Sequence, residues 1–533
     1  MNGPMNSLTG TRALARLALR LDRVRLTVWV LGLAVMPMAT AANYFKLYPT
    51  EADLRAVSAV FTNPSLVALS GPLFDLSIGG LTAWKIGATE FVLVGLMSLL
   101  TVVRHTRAEE ETGRLELIRA TVVGRHAPLT AALLVTALAN LAIAVLTALG
   151  LMATGLPTVG SVAFGLATGL VGILFAAVAA AVAQLTEGAR TASGIASAVL
   201  GGTYLLRAVG DTGPAWLSWL SPTGWALHLR PYADERWWVA ALFIGFAVLF
   251  TAAGYALAGR RDVGAGLLPE RPGPATASPG LRSPLALAWR LHRGLLLGWT
   301  VALAVTGAVL GGAAAGFGDL QSPNQQLADV LSRMGGRTDL TDAFLAAIFG
   351  ITGMVAAAYT VQATLRLRQE ESSGRVEALL ATGIGRLRWA ASHLVFALLG
   401  TALLLAVAGV AGGLVYGAQV HDVGGQVGRL LEAALVQVPA AWVLAGFGTA
   451  LIGLAPRLSA LAWGALILSV LLFELGALFG LSQWVLDVTP FAHVPKLPGS
   501  AFTVTPMLWL TLIAVALGAA GLAGLRRRDM PVA

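Results

Sequence analysis

The sequence has 533 residues, of which 56% are hydrophobic and only 12% are charged, and its mean hydropathy is +0.76. A typical soluble domain is about a quarter charged, so this composition excludes an ordinary soluble protein. The absence of cysteine excludes disulfide bonds, thiolate metal sites and cysteine nucleophiles. The net charge of +9 is more typical of arginines in the cytoplasmic loops of a membrane protein than of a nucleic-acid-binding protein.

Apolar runs of about 20 residues recur along the whole chain, and each is long enough to cross a hydrocarbon core of roughly 30 Å. The chain is therefore predicted to be an all-α polytopic membrane protein with 12 transmembrane helices. In chain order, we predict spans at 25–42, 84–103, 128–152, 161–184, 193–210, 238–258, 294–314, 344–364, 391–415, 431–453, 459–480 and 505–525.

The distribution of basic residues predicts the orientation of these helices. Placing both termini in the cytoplasm puts 26 of the 36 lysines and arginines on the cytoplasmic side of the membrane. Positively charged residues are concentrated in cytoplasmic loops of membrane proteins. This distribution therefore predicts a multi-pass protein of the cell membrane with both termini cytoplasmic.

The chain reads as an internal duplication. The segment RLDRVRLTVW at 20–29 aligns with RLHRGLLLGW at 290–299, and GRRD at 259–262 aligns with RRRD at 526–529. Each half then contains six predicted spans, and because six is an even number the two halves have the same orientation. This predicts two parallel six-helix repeats with pseudo-two-fold symmetry about an axis along the membrane normal.

The two halves are predicted to be separate domains, 1–262 and 285–533, joined by a Pro- and Gly-rich cytoplasmic linker at 263–284. The stretch before the first span of each half, 12–23 and 285–293, alternates Leu or Ala with Arg. This pattern favours a helix that lies in the membrane interface with its arginines toward the headgroups. The alternative is a cytoplasmic extension of the first span.

A charged segment follows the second span of each half. The first copy is RAEEETGRLELIRATVVGR at 107–125, and the second is RQEESSGRVEALLATGIGR at 368–386. A glycine interrupts each copy, so we predict that the span continues into the cytoplasm, bends, and is followed by a short amphipathic helix. The apolar side of that helix is predicted to contain Leu115, Ile118 and Val122 in the first copy and Val376, Leu379 and Leu380 in the second.

Two interpretations of these segments remain open. An amphipathic helix at a bend suits docking into a groove on a soluble partner. The alternative is a stop-transfer anchor, in which the charges only mark the membrane boundary. The predicted contact residues are Glu109, Glu110, Glu111, Gly113, Arg114 and Glu116 in the first copy, and Glu370, Glu371, Gly374, Arg375 and Glu377 in the second.

The pattern Glu-x-x-x-Gly-x-x-Glu-x-x-x-Ala-Thr between the second and third of six spans resembles the coupling helix of ABC-2-type transporter permeases. The chain as a whole resembles the fused twelve-span permeases of actinobacteria that are described as exporters of polyketide or other antibiotics. The matching residues are Glu109, Gly113, Glu116, Ala120 and Thr121 in the first half, and Glu370, Gly374, Glu377, Ala381 and Thr382 in the second.

The resemblance implies the permease subunit of an ATP-driven ABC exporter of hydrophobic or amphipathic compounds, such as antibiotics, drugs or lipids. The implied partners are two copies of a cytoplasmic ABC ATPase and the lipid bilayer, with no nucleic acid. The chain would then be no enzyme and hold no cofactor, because ATP and Mg²⁺ bind to the ATPase. Its three lysines, Lys46, Lys85 and Lys496, form no Walker A motif. The resemblance also implies that 216–232 and 484–499 re-enter the membrane from outside.

Four of the polar residues inside the predicted spans are candidates for a functional role. Glu90 and Glu474 are costly in a membrane, and such groups usually face a cavity or a partner, so both are candidates for a transport cavity. Asn140 and Gln362 are further cavity candidates, and their amides also suit hydrogen bonds between helices. The alternative for the two glutamates is a nearby basic partner or an approach to the membrane surface.

Two other classes of protein compete with an ABC permease. A proton-coupled secondary multidrug transporter that works without an ATPase can also have twelve spans in parallel halves, but no G-x-x-x-D-R motif lies between the second and third spans. An intramembrane aspartyl protease is suggested by the GxGD pattern at 316–319. That pattern lies just outside the seventh span, and no second intramembrane aspartate accompanies it to share a proton.

Overall fold

A computed structural model of the protein describes residues 7–56, 64–119, 121–262, 264–268, 275–276, 279–318, 340–479 and 482–529. Within this part of the chain the regular structure is entirely helical, which confirms the predicted all-α class. The chain divides into two compact units, unit 1 (Met1–Gly273) and unit 2 (Pro274–Ala533), and the division falls inside the predicted linker.

The described part of unit 1 is built from helices α1 to α12. They are α1 (Thr11–Leu21), α2 (Arg23–Leu47), α3 (Glu51–Ala56), α4 (Pro64–Ser70), α5 (Ile78–Glu111, with a π-helical turn at Arg104–Ala108), α6 (Arg114–Arg119), α7 (Ala127–Ala153), α8 (Thr158–Leu185), α9 (Ala189–Thr212), α10 (Trp216–Trp219), α11 (Pro222–His228) and α12 (Val239–Ala258).

Unit 2 continues with helices α13 to α21 and three short 3₁₀ turns at Pro279–Leu281, Pro456–Leu458 and Pro490–His493. The helices are α13 (Pro284–Gly318), α14 (Leu340–Ser372), α15 (Arg375–Leu380), α16 (Arg386–Gln419), α17 (Val423–Leu435), α18 (Val438–Leu454), α19 (Leu461–Phe479), α20 (Gln483–Leu486) and α21 (Val504–Arg527).

Every predicted span falls on one of these helices. Eleven helical stretches in the described residues are long and apolar enough to cross a membrane, counting α17 and α18 together as Val423–Leu454. The predicted span at 459–480 falls on α19, whose apolar stretch in the described residues, Leu461–Phe473, is shorter than the others. The polytopic membrane class therefore follows from eleven helices, and the twelfth span stays a prediction.

The core of unit 1 is centred on α8, and the core of unit 2 is shared among several long helices. In unit 1, α8 packs against α5, α7 and α12, and nearly all of its side chains are buried. In unit 2, α18 packs along α21, and α16 packs against α13 and α17. Small residues line these contacts and let the helix backbones approach closely, which is how helices associate in membranes.

The two helices before the first spans differ from each other. In unit 1, α1 is a separate helix that ends at Leu21, because Asp22 leaves the helical conformation and its buried carboxylate bonds to Arg104 (3.0 Å) and His105 (2.8 Å). In unit 2, the residue aligned with Asp22 is His292, which stays helical inside α13. The separate interfacial helix predicted at 285–293 is therefore wrong, and that segment extends the first span.

The segments predicted to re-enter the membrane form helices that are too short to cross it. In unit 1 they are α10 and α11, and Trp225, Ala226 and Leu227 of α11 are buried in the core. In unit 2 they are α20 and the 3₁₀ turn at Pro490–His493, where Phe491 is buried. Entry of these segments from the outer side stays a prediction.

The close contact between α18 and α21 gives a test of this packing. A methyl group added at Gly521 would collide with the backbone of Thr449 and Ala450, whereas Gly518 on the same helix has open space. We expect Gly521→Ala to lower the free energy of unfolding by about 1–3 kcal/mol, because a backbone cannot move aside cheaply. The measurement is the thermal unfolding midpoint of the purified protein in detergent.

Gly518→Ala is the matched control, since it makes the same chemical change one turn away on α21. It should leave stability unchanged or raise it slightly, because alanine favours a helix over glycine by about 1 kcal/mol. Equal midpoints for the two variants would contradict the α18–α21 contact.

Candidate functional site

The two charged segments form bends of the same geometry. Gly113, between α5 and α6, has a φ of 72°, and Gly374, between α14 and α15, has a φ of 71°. This left-handed conformation favours glycine, which has no Cβ to collide with the backbone. The amide N–H of each glycine donates to the carbonyl three residues earlier, Glu110 and Glu371, at 3.0 Å in both bends. The predicted breaks are therefore confirmed.

Glu110 in the first bend is held by two arginines. Its carboxylate accepts two parallel hydrogen bonds from Arg261, Nη1 to Oε2 at 2.8 Å and Nη2 to Oε1 at 2.7 Å. Arg107, one turn earlier on α5, donates a third bond to Oε2. The three side chains are at most 8% exposed. We call Arg107, Glu110 and Arg261 the first clasp, which joins the bend to the residues that follow α12.

The second bend contains the same arrangement. The carboxylate of Glu371 accepts two parallel bonds from Arg528, Nη1 to Oε1 at 2.6 Å and Nη2 to Oε2 at 2.7 Å. Arg368, one turn earlier on α14, lies 3.2 Å from Oε2. The side chain of Glu371 is 1% exposed. We call Arg368, Glu371 and Arg528 the second clasp, and it joins this bend to the end of α21.

A further arginine in each unit grips the end of the last long helix. Arg125, just before α7, donates from Nη2 to the carbonyls of Ala258 (3.1 Å), Gly259 (2.9 Å) and Arg261 (3.1 Å). Arg386, at the start of α16, donates from Nη1 to the carbonyl of Arg528 (2.6 Å). Unsatisfied carbonyls and the helix dipole make the end of a helix a favourable place for a positive charge.

An ion pair also bridges each glycine. Glu109 lies 3.8 Å from Arg114 in the first bend, and Glu370 accepts a 2.7 Å bond from Arg375 in the second. The hydrogen bond to Glu370 raises the pKa of Arg375 above its usual value. Each pair links the end of the long helix to the first residue of the short helix and so helps to set the angle of the bend.

The third consecutive glutamate of the first bend has its own partner. Glu111 accepts a 2.9 Å hydrogen bond from the backbone N–H of Ala189, the first residue of α9. The preceding residue, Gly188, has no side chain with which to cap that helix, so the carboxylate takes this place. At the aligned position in unit 2, Ser372 donates instead to the carbonyl of Gln369 in its own helix.

These contacts change the interpretation of the predicted contact residues. Glu110, Glu370 and Glu371 bond to arginines of the chain itself and are nearly buried, so they do not form a surface for a partner in this structure. The Gly-Arg that ends each charged segment also has an internal role, because Arg125 and Arg386 bond to the end of the last long helix.

The exposed part of each short helix is small and differs between the units. On α6, Glu116 and Leu117 face outward, Leu117 being 76% exposed, while Leu115 is buried at 3%. Val122, predicted on the apolar side with Leu115, is 86% exposed, and the side chains of Ile118 and Ala120 lie outside the described residues. On α15, Val376 is buried, Leu379 and Leu380 pack beside it, and Arg375 is exposed. Glu377, also predicted as a contact, is half-buried.

The predicted cavity residues have different surroundings within their own units. Asn140 donates to Ser98 across the α5–α7 contact (2.9 Å), and Gln362 accepts a bond from Trp299 across the α13–α14 contact (3.1 Å), so the expected interhelical hydrogen bonds are confirmed. Glu90 is fully buried in α5, and neither carboxylate oxygen has a hydrogen-bond partner among the described residues. Glu474 lies on α19, and its side chain is outside the described part. A cavity role for these residues stays a prediction.

The structure adds an open surface groove that the sequence analysis did not identify. It measures about 450 Å³ and lies in unit 2 beside α17, α18 and the start of α21. An exposed carboxylate, Glu432, stands in an otherwise apolar lining, which the amphipathic pattern of α17 could have suggested. The lining residues are Gly428, Leu431, Glu432, Leu435, Val436, Pro439, Phe502 and Met507.

Comparison with known proteins relates the sequence of this chain to efflux permeases. The profile of the family described as "Multidrug efflux system permease Rv1217c, C-terminal domain" matches the chain twice, at residues 12–257 and 281–526. The chain is 48% identical over 528 residues to the Multidrug efflux system permease protein Rv1217c of Mycobacterium tuberculosis (strain ATCC 25618 / H37Rv). That similarity covers 98% of this chain and 96% of the relative.

The clasps allow a test of how much a buried ion pair contributes to the free energy of unfolding. Glu371→Gln removes the negative charge and leaves Arg528 and Arg368 without it, so we expect the free energy of unfolding to fall by about 3 kcal/mol. Glu51→Gln is the control, because the exposed Glu51–Arg55 pair should contribute no more than about 1 kcal/mol. Unfolding midpoints in detergent measure both effects, and equal small losses would contradict the buried clasp.

Proposed function

The chain belongs to the family of multidrug efflux system permeases, and we propose that it is the membrane subunit of an ATP-driven ABC-type exporter. In this proposal two copies of a separate cytoplasmic ABC ATPase bind to the chain and supply the energy. The permease does no bond chemistry itself, and ATP and Mg²⁺ bind to the ATPase.

The observation that carries this proposal is the pair of bent, charged segments. Each one continues a long helix beyond the length that a membrane needs, turns at a glycine, and presents the outer face of a short helix. A stop-transfer anchor needs only charge at the boundary, but here the charges are ordered into clasps that fix the position of the short helix. A short helix held rigidly at a bend suits contact with a partner that moves.

Two features support a duplicated chain with twelve spans. The same family profile matches both halves in turn, and the two clasps use residues at aligned positions. We take α19 as a membrane span too, which brings the total to twelve. Both bends then lie at the cytoplasmic face, and both termini are cytoplasmic. The domains are then the two six-span halves and the linker between them.

The substrate class follows from the relative and from composition. The relative's name describes multidrug efflux, and the long helices of this chain present mainly Ala, Gly, Leu and Val. Such surfaces suit hydrophobic or amphipathic compounds, including antibiotics, drugs and lipids.

The docking of the ATPase can be tested at the exposed face of α6. Leu117→Asp puts a charge in the centre of that face, so binding of the ATPase should weaken by about tenfold or more and ATP-dependent efflux should fall with it. The measurements are co-purification of the ATPase with the permease, and efflux of a lipophilic fluorescent dye from vesicles supplied with ATP.

Leu76→Asp is the matched control, because Leu76 is an exposed leucine that precedes the opposite end of α5. This variant should bind the ATPase and export the dye as the unchanged protein does. Equal binding by both variants would show that α6 is not the docking surface, and efflux without any ATPase would contradict the proposed function as a whole.

A second candidate function is a proton-coupled secondary multidrug transporter, and one observation favours it. The buried carboxyl of Glu90, with no hydrogen-bond partner in the described residues, has the character of a proton-carrying group in a membrane. A transporter of this kind would need no ATPase.

Glu90→Gln separates the two candidates, because the amide keeps the shape of the side chain and cannot carry a proton. We expect ATP-dependent efflux to persist in this variant and to resist a protonophore that collapses the proton gradient. Efflux that needs no ATPase and is abolished both by the protonophore and by Glu90→Gln would establish the secondary transporter instead.

A further inference from the structure

We propose that the two clasps are the mechanical connection between each bend and the last long helix of its unit. Through them, a push on α6 displaces the end of α12, and a push on α15 displaces the end of α21. Glu110 and Glu371 are thus positioning residues that act through Arg261 and Arg528. The inference rests on the proposed function, since it names the route by which the ATPase would act on the membrane helices.

The paired hydrogen bonds make each clasp rigid. A carboxylate and a guanidinium that share two parallel hydrogen bonds are fixed in distance and in angle, whereas a single bond to a lysine would let them pivot. Both clasps have this form, with all four bonds between 2.6 and 2.8 Å. The bend and the arginine that follows the long helix therefore move as one body.

The last long helix of each unit, α12 or α21, is held at its end from two sides. In unit 1, Arg261 is bonded through its side chain to Glu110 and through its carbonyl to Arg125. In unit 2, Arg528 is bonded in the same way to Glu371 and Arg386. The end of α12 or α21 is thus bonded both to a residue before the short helix and to a residue after it. A displacement of the bend therefore displaces the end of that long helix.

The stability of the fold does not by itself explain the buried ion pairs. Buried ion pairs lose much of their Coulomb attraction to desolvation, and apolar residues of similar volume often stabilise a fold equally well. The same buried pair in both units is therefore poorly explained by stability alone. A rigid, directional link explains it, because apolar packing allows the surfaces to slide.

The experiment uses the full-length permease with its ATPase in proteoliposomes, and compares the unchanged protein with the double variant Glu110→Gln/Glu371→Gln. The expected result is a complex that assembles and hydrolyses ATP, but in which the number of dye molecules exported per ATP falls about fivefold or more. This ratio reports coupling directly, and a purely structural role would leave it unchanged in the protein that remains folded.

Two controls separate coupling from stability. Gly165→Ala would meet the backbone carbonyl of Ala144 near the opposite end of α8 from the first clasp, so it should lower stability and leave the ratio unchanged. Arg528→Lys is the second: it keeps the positive charge beside Glu371 but cannot form two parallel hydrogen bonds, so it should stay folded and lower the ratio. If the double glutamine variant fails to fold, Arg528→Lys carries the test by itself.

The outcomes distinguish the two proposals. An unchanged ratio in Glu110→Gln/Glu371→Gln, with efflux that still needs the ATPase, would overturn the clasps as the connection and leave the proposed function standing. A folded Arg528→Lys variant with an unchanged ratio would overturn it as well. Efflux that never needs the ATPase would instead remove the proposed function on which the inference rests.

Discussion

The buried pair between Glu110 and Arg261, and its counterpart between Glu371 and Arg528, is the constraint from which the rest of each bend follows. A carboxylate that is 6% or 1% exposed cannot remain charged without partners, because the loss of hydration costs several kcal/mol. Its position therefore requires positively charged partners. One is local, three residues earlier on the same helix, and the other comes from the residues after the last long helix, about 150 positions later, so a local bend is tied to the far end of the unit.

Other features of the bend fix the position of the short helix. Glycine allows the left-handed turn that directs the chain from the long helix into the short helix, and the ion pair across the glycine limits how far the short helix can swing. The additional bond from Glu111 to the start of α9 ties the first bend to one more helix. The second bend has a serine there, so the two bends share one connection and differ in another. This bond gives the triple glutamate of unit 1 a physical role.

The parts of this structure that a sequence predicts well are those set by local physics. Span length follows from membrane thickness, so every predicted span falls on a helix, and the breaks at Gly113 and Gly374 follow from glycine's freedom. The pairing of Glu110 with Arg261 depends on contacts far apart in the chain, and charge alone does not reveal whether a side chain faces a partner or the interior. One signal was present: the arginine of GRRD recurs in RRRD at nearly the same offset as the glutamates. The extension of α13 was only the alternative in the sequence analysis, because the two copies share the Leu-Arg pattern and differ at the position where Asp22 in unit 1 is aligned with His292 in unit 2.

Comparison of the two bends separates internal constraint from surface. The residues that form the clasps and grip the helix ends are identical in both copies. Outward-facing positions are mixed: Arg114 and Thr121 recur as the exposed Arg375 and Thr382, whereas Leu117 of α6 is aligned with Ala378 of α15, and Val122 with Gly383. Much of the repeated motif therefore reflects the internal ion pairs, and repetition by itself is no argument for a docking surface. A partner that contacts both short helices meets two different faces. Because both faces lie in one fused chain, each can be altered without the other, which a dimer of identical six-span subunits does not allow.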